Sequence, residues 1–190
     1  MSFIENMLDE LVKEQIIEID EYDLYYYCFD SLFSGIFFYS MILFSAVLLD
    51  KIDITIMYYI GFSFIRYTSG GYHASTQIKC FILSFIVYFC SISLISSKLV
   101  LMPPEILTGT LLCAAVLIWK FAPVDHPNKR FSAKEKIIYQ KKSRIAIVVV
   151  IIIVSWSLKS GNIPFAWAIG IGAITATFSV SITYIKRLVK

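Results

Sequence analysis

His73 and Cys80 carry the most reactive chemistry in this sequence, and they stand seven residues apart. A thiolate is the nucleophilic form of cysteine, and an imidazole within hydrogen-bond reach generates it near neutral pH. Such a pair can attack a peptide carbonyl and hold the acyl group as a thioester. The stretch 66–80 around them reads RYTSGGYHASTQIKC.

The spacing sets a condition. On a continuous helix, residues seven apart share a face but lie about 10.5 Å apart along the axis. Hydrogen-bond reach is about 3 Å, somewhat more for sulfur. A working pair therefore needs a bend between the two residues. Gly70 and Gly71 permit unusual backbone angles just before His73. Ser75 and Thr76 can cap a helix that opens there and carries Cys80 in its first turns. Arg66 sits at the edge of an apolar block. An ionisable group at that depth either serves a site or snorkels to head groups. The same residues also fit a plain turn with an interfacial histidine and a packed cysteine.

Other chemistries fail on inventory. There is no HExxH, and the two histidines, His73 and His126, are far apart in sequence. No phosphate-binding GxxxxGK[ST] loop occurs, and no pair of aspartates lies within the apolar blocks. No metal or other cofactor is expected. Cys28, Cys90 and Cys113 show no ligand spacing and read as small core residues.

The elements that must position the pair are set by hydropathy. Of 190 residues, 58% are hydrophobic and only 16% are charged, and the mean hydropathy is +0.73. A soluble domain carries about a quarter charged residues, so this chain has too few to clothe a water-facing surface. Six apolar blocks stand near 31–49, 52–66, 80–97, 106–121, 145–158 and 163–185. A straight span takes about 20 residues, so the second, fourth and fifth blocks must be extended by their flanks, kinked or re-entrant. Pro103 and Pro104 mark the start of the fourth block.

Ahead of the blocks, Ile4, Leu8, Leu11, Val12, Ile16 and Ile19 recur at helical spacing, with acids on the other face. This predicts an amphipathic helix over 3–19 that lies at the membrane interface or against a partner, or simply keeps a solvated face; its acidic face favours protein or a basic peptide over lipid. Eight acids against Lys13 in the first 23 residues do not resemble a secretory leader. The expected organisation is one membrane domain, 1–190. An N-terminal amphipathic region covers 1–28, and a bundle over 29–190 carries a basic loop, 122–144.

Charge sets the expected topology. The loop holds Lys129, Arg130, Lys134, Lys136, Lys141, Lys142 and Arg144, and the tail holds Lys186, Arg187 and Lys190. Both should be cytoplasmic, as should the N-terminus and the segment 66–79. The loop lacks the aromatic interleaving of a nucleic-acid platform, so no nucleic-acid partner is expected. Gly170, Gly172, Ala173 and Ala176 allow close helix contact, within the bundle or in a homodimer.

Arg66, Gly70, Gly71, His73, Ala74 and Cys80 together resemble the core motif of the AgrB family, the accessory gene regulator B peptidases. The stretch 122–129, APVDHPNK, resembles that family's Ala-Pro followed by a basic loop. The resemblance extends over nearly the whole chain. It implies a membrane cysteine endopeptidase of bacterial quorum sensing, in the cell membrane, with Cys80 as nucleophile and His73 as its base. The implied partner is a short AgrD-type precursor. Its C-terminal part is cut off, and a Cys or Ser within it then closes a thiolactone or lactone ring. Ser75 and Gln77 lie near His73 in sequence, and Asp125 could orient the imidazole. Lys129 belongs to the basic loop that could meet the precursor.

The expected fold is therefore all-α and polytopic, with about six transmembrane or re-entrant helices and an N-terminal amphipathic helix. The competing class is a peptide or small-molecule transporter, whose broken apolar blocks would line a cavity. That class leaves the Gly-Gly-Tyr-His-Ala run before a cysteine unexplained.

Overall fold

Each of the six apolar blocks folds as a helix of its own. The computed structural model describes residues 3–72, 76–96, 102–124 and 131–188. Among these the helices are α1 (Phe3–Lys13), α2 (Tyr22–Leu48), α3 (Ile52–Ser69), α4 (Gln77–Ser96), α5 (Pro104–Phe121), α6 (Ala133–Lys159) and α7 (Ile163–Leu188). No strand occurs among the described residues. The short blocks gain length from their flanks. Four helical stretches are long and apolar enough to cross a membrane: Ile19–Leu48, Ile78–Ser96, Pro104–Phe121 and Ile163–Leu188. The chain is an all-α polytopic membrane protein.

The chain divides into two compact units, Met1–Leu49 and Asp50–Lys190. In the first, α1 buries Leu8 completely, and the Phe3 ring meets Phe33 of α2 edge-on at 5.8 Å. Tyr22 Oη donates to Asp9 Oδ1 at 3.3 Å. The helix stops at Lys13, well short of the expected residue 19. Ile16 N–H bonds to the Leu11 carbonyl and Gln15 N–H to that of Val12, both at 3.0 Å, while Gln15 takes φ +58°. This is a Schellman ending with glutamine where glycine or asparagine is usual, so the sequence carries no visible stop.

In the second unit α7 is the central helix. Of its apolar stretch 61% is buried, against 22% for α4 and 28% for α5. Its residues Ala166 to Ala173 form an unbroken buried run. Small residues let α3 approach it closely. A Cβ on Gly61 would strike the Ile169 carbonyl, and one on Gly172 would strike the carbonyl of Tyr58. Gly170 leaves room for Leu107 of α5, and Ala173 and Ala176 are fully buried. The small residues that would also suit a homodimer are thus used within the chain.

The remaining helices add stripes at helical spacing. Leu107, Leu111, Ala114, Ala115 and Ile118 line the inner face of α5. Ser143, Ala146, Ile147, Val150 and Val154 line that of α6. On α4, Tyr88 Oη lies 2.9 Å from Thr55 Oγ1 of α3. Buried hydroxyls along these helices donate to carbonyls one turn back: Ser91 to Val87, Thr177 to Ala173 and Ser181 to Thr177. An apolar solvent leaves no other partner for them.

Two expectations need correction. The basic segment 122–144 is only partly loop, because residues 133–144 form the first half of α6. Ser132 Oγ accepts from Glu135 N–H, and Glu135 Oε2 accepts from Ser132 N–H, a capping box that starts the helix before the charges end. Cys28, Cys90 and Cys113 are exposed and not in the core. In a bilayer the outer face of a helix is apolar as well, so an apolar block does not imply burial inside protein.

The α3–α7 approach generates a paired prediction. Gly172→Ala should destabilise by about 1–3 kcal/mol, the usual effect of overpacking. Gly109→Ala should be neutral or mildly stabilising, since nothing lies within 4 Å of an added Cβ there. Thermal melting in detergent, followed by tryptophan fluorescence, checks both; equal melting temperatures would contradict the close crossing.

Candidate active site

The last turn of α3 must end, satisfy its carbonyls and redirect the chain within a few residues. Gly70 caps the helix with φ 74° and ψ −151°, a region open essentially to glycine alone. Its N–H bonds to the Arg66 carbonyl at 3.1 Å. The next free carbonyls find partners from other helices. Ser143 Oγ of α6 lies within donating distance of the Thr68 carbonyl, 2.9 Å, and of the Tyr139 carbonyl, 2.8 Å. Val124 N–H, just past the cis Ala122–Pro123 bond, donates to the Ser69 carbonyl at 3.0 Å. The C-terminus of α3 is thus closed by α6 and by the segment after α5.

Arg66 then organises the turn. Its Nη2 donates to the Tyr72 carbonyl at 2.7 Å, and its Nη1 to Ser179 Oγ of α7 at 3.0 Å and to the Gly70 carbonyl at 3.4 Å. Tyr72 N–H donates to the same Ser179 Oγ at 2.9 Å. A Cβ on Gly71, where φ is +148°, would run into Arg66 Nη1 and Ser179 Oγ. The two glycines therefore answer different needs: Gly70 supplies the backbone angle and Gly71 the space. Arg66 is half-buried and engaged by the turn; snorkelling does not describe it. Lys186 Nζ of α7 sits 4.3 Å from the centroid of the Tyr72 ring.

Beyond the turn, Thr76 caps α4. Lys79 N–H donates to Thr76 Oγ1 at 3.3 Å and Cys80 N–H to the Thr76 carbonyl at 3.1 Å. Cys80 therefore stands in the first turns of α4 as a half-buried free thiol. The helix begins at Gln77, whose side chain is not among the described parts. His73, Ser75, Asp125 and Lys129 lie outside the described residues. Among the described residues no group of three or more His, Cys, Asp and Glu could hold a metal ion.

The turn after α3, the C-terminal end of α5, the N-terminal half of α6 and the C-terminal end of α7 meet at one end of the second unit. At that end Lys186 lies over the Tyr72 ring and Lys142 over the Tyr139 ring, 5.3 Å from its centroid. The family model described as Accessory gene regulator B, AgrB, matches residues 4–180. The chain belongs to the AgrB family. Protein FsrB of Enterococcus faecalis (strain ATCC 47077 / OG1RF) is 26% identical over 153 residues, covering 77% of this chain and 63% of FsrB. The chain thus spans about 63% of the length of that curated relative. No solved structure matches the chain.

In this AgrB-family chain the motif residues Arg66, Gly70 and Gly71 come together. Sequence reasoning missed Ser179, Ser143, Lys186 and Val124. Val124 lies in the quoted Ala-Pro stretch, so a pairing with α3 was open to inference. Ser179 sits in an apolar block 113 residues from Arg66, and no spacing signals it.

This geometry predicts an order of effects. Gly71→Ala should destabilise by about 2 kcal/mol or more, because both obstructing groups are hydrogen-bonded in place. Ser143→Ala should cost about 1 kcal/mol, one hydroxyl–carbonyl bond. Detergent melting curves check this ranking, and a Gly71→Ala protein as stable as the parent would contradict the packing described.

Proposed function

We propose that this chain is a membrane cysteine endopeptidase that cuts the C-terminal part from a short AgrD-type precursor and promotes ring closure. The reading rests on AgrB-family membership together with one structural observation. Thr76 caps α4 directly before Gln77, so no unbroken helix carries His73 and Cys80 together. α3 ends at Ser69, α4 begins at Gln77, and Arg66 holds the Tyr72 carbonyl just before His73.

In this reading the His73 imidazole takes the thiol proton as Cys80 Sγ attacks the scissile carbonyl. The peptide C–N bond breaks, and the imidazole passes that proton to the leaving amine. The precursor's N-terminal part remains on Cys80 as a thioester. A thiol or hydroxyl within it attacks the same carbonyl, gives its proton to the imidazole and releases the Cys80 thiolate. The ring product is a thiolactone or lactone. A thioester retains much of its acyl-transfer potential, and a site partly enclosed by lipid limits competing hydrolysis.

The site faces the cytoplasm in this reading, with both termini on that side. Lys141 and Lys142 are exposed and directly precede Ser143, which reaches the Thr68 carbonyl at the end of α3; they offer positive charge suited to an acidic precursor tail. Arg144 is less suited to that task, being half-buried with its guanidinium 5.7 Å from the Trp119 ring.

Two measurements test this. Co-expressed with its precursor, the parent chain should cleave it, and Cys80→Ala and His73→Ala should abolish cleavage. Cys80→Ser should lose at least about 10²-fold, since a hydroxyl is far less acidic than a thiol. Normal cleavage by Cys80→Ala with altered export would instead favour a transporter. Reversing Lys141 and Lys142 to Glu should raise KM about 10-fold and weaken its salt dependence; unchanged kinetics would remove these lysines from substrate binding.

A further inference from the structure

Ser179 is used unlike the other hydroxyls of its helix. Thr175, Thr177, Ser181 and Thr183 each donate to a carbonyl one turn back on α7. The oxygen of Ser179 instead accepts two hydrogen bonds from the α3–α4 connection, from Arg66 Nη1 at 3.0 Å and Tyr72 N–H at 2.9 Å. A hydroxyl oxygen has two lone pairs, so its accepting capacity is filled by groups distant in sequence.

These bonds have a specific consequence for the next residue. Tyr72 N–H belongs to the peptide plane joining residues 71 and 72, and Tyr72 C=O to the plane joining 72 and 73. Ser179 holds the first plane, and Arg66, itself held by Ser179, fixes the second at 2.7 Å. Peptide units are rigid, so anchoring both planes pins φ and ψ of Tyr72 and sets the direction in which the chain enters His73. Lys186, two turns along α7, holds the Tyr72 ring at 4.3 Å. A single helix therefore grips this residue by backbone and by side chain.

We propose that Ser179 is a positioning residue for His73: through Tyr72 N–H and Arg66 it fixes the backbone from which the imidazole must reach Cys80. This inference rests on the peptidase reading above. An apolar residue at 179 would remove the acceptor of Tyr72 N–H and one acceptor of Arg66 Nη1, and release the turn without touching Cys80, His73 or the precursor.

The test uses the full chain reconstituted in lipid vesicles, with precursor peptide and with iodoacetamide as a probe of Cys80 followed by peptide mass mapping. Ser179→Ala should lower kcat by roughly 10- to 10²-fold, the scale of a small misplacement of a reacting group, with KM within about 2-fold. Its pH profile of Cys80 alkylation should move to that of His73→Ala. Ser179→Thr, which keeps the accepting oxygen, should restore both. A Ser179→Ala chain with the parent's kcat and alkylation profile overturns the proposal. If the parent itself alkylates like His73→Ala, the His73–Cys80 pairing is wrong, and the proposal falls with it. A third measurement needs no variant. The Tyr72 amide should exchange slowly with deuterium although it lies between helices, and fast exchange there overturns the bond on which the proposal stands.

Discussion

A guanidinium at the end of an apolar bundle brings several donors and no acceptors of its own. Leaving them unpaired away from water is expensive, so acceptors must be brought to Arg66. The chain supplies the carbonyls of Gly70 and Tyr72 and the hydroxyl of Ser179. Carbonyls following a helix end point at that helix's own last turn only if the chain doubles back sharply. The glycine pair makes this feasible, one residue through its backbone angles and the other through its missing Cβ. The charge and the turn thus require each other.

The serine must also be within reach, which depends on packing deeper in the bundle. Gly61 and Gly172 let the backbones of α3 and α7 nearly touch. Ser179 follows two turns along α7 from Gly172, and Arg66 follows Gly61 by somewhat more than one turn of α3. A close crossing therefore sets the separation at which one hydroxyl can serve both an arginine and a turn amide. Ser143 and Val124 complete the arrangement by taking the last carbonyls of α3. The turn that leads to His73 is held by four separate parts of the second unit, and Cys80 is held independently, by the Thr76 cap of α4.

Much of this was legible in order of residues. Hydropathy located six helices, and the glycine pair and Thr76 announced a bend before Cys80. The errors have physical sources. Gln15 ends α1 in a left-handed conformation that its side chain does not advertise. The Ser132–Glu135 capping box was present in sequence, but the charge density of 129–144 read as loop. The three other cysteines face outward because the bilayer rewards apolar groups on both sides of a helix. Ser179 was illegible for a different reason: its role comes from a contact 113 residues away, and a serine within an apolar helix most often bonds its own backbone.

The peptidase reading requires the chain to bend past Tyr72 so that residue 73 returns to the thiol of Cys80. A cross-linking measurement addresses it directly. With Cys28, Cys90 and Cys113 replaced by serine, His73→Cys places a second thiol at the claimed distance. A disulfide needs Cα atoms within about 7 Å, whereas seven residues of unbroken helix hold them about 10.5 Å apart. Mild oxidation in lipid vesicles should link the introduced thiol to Cys80 within one chain, visible by mass spectrometry as joined tryptic peptides on either side of Lys79. Two thiols that stay free, or that link only between chains, would contradict the account.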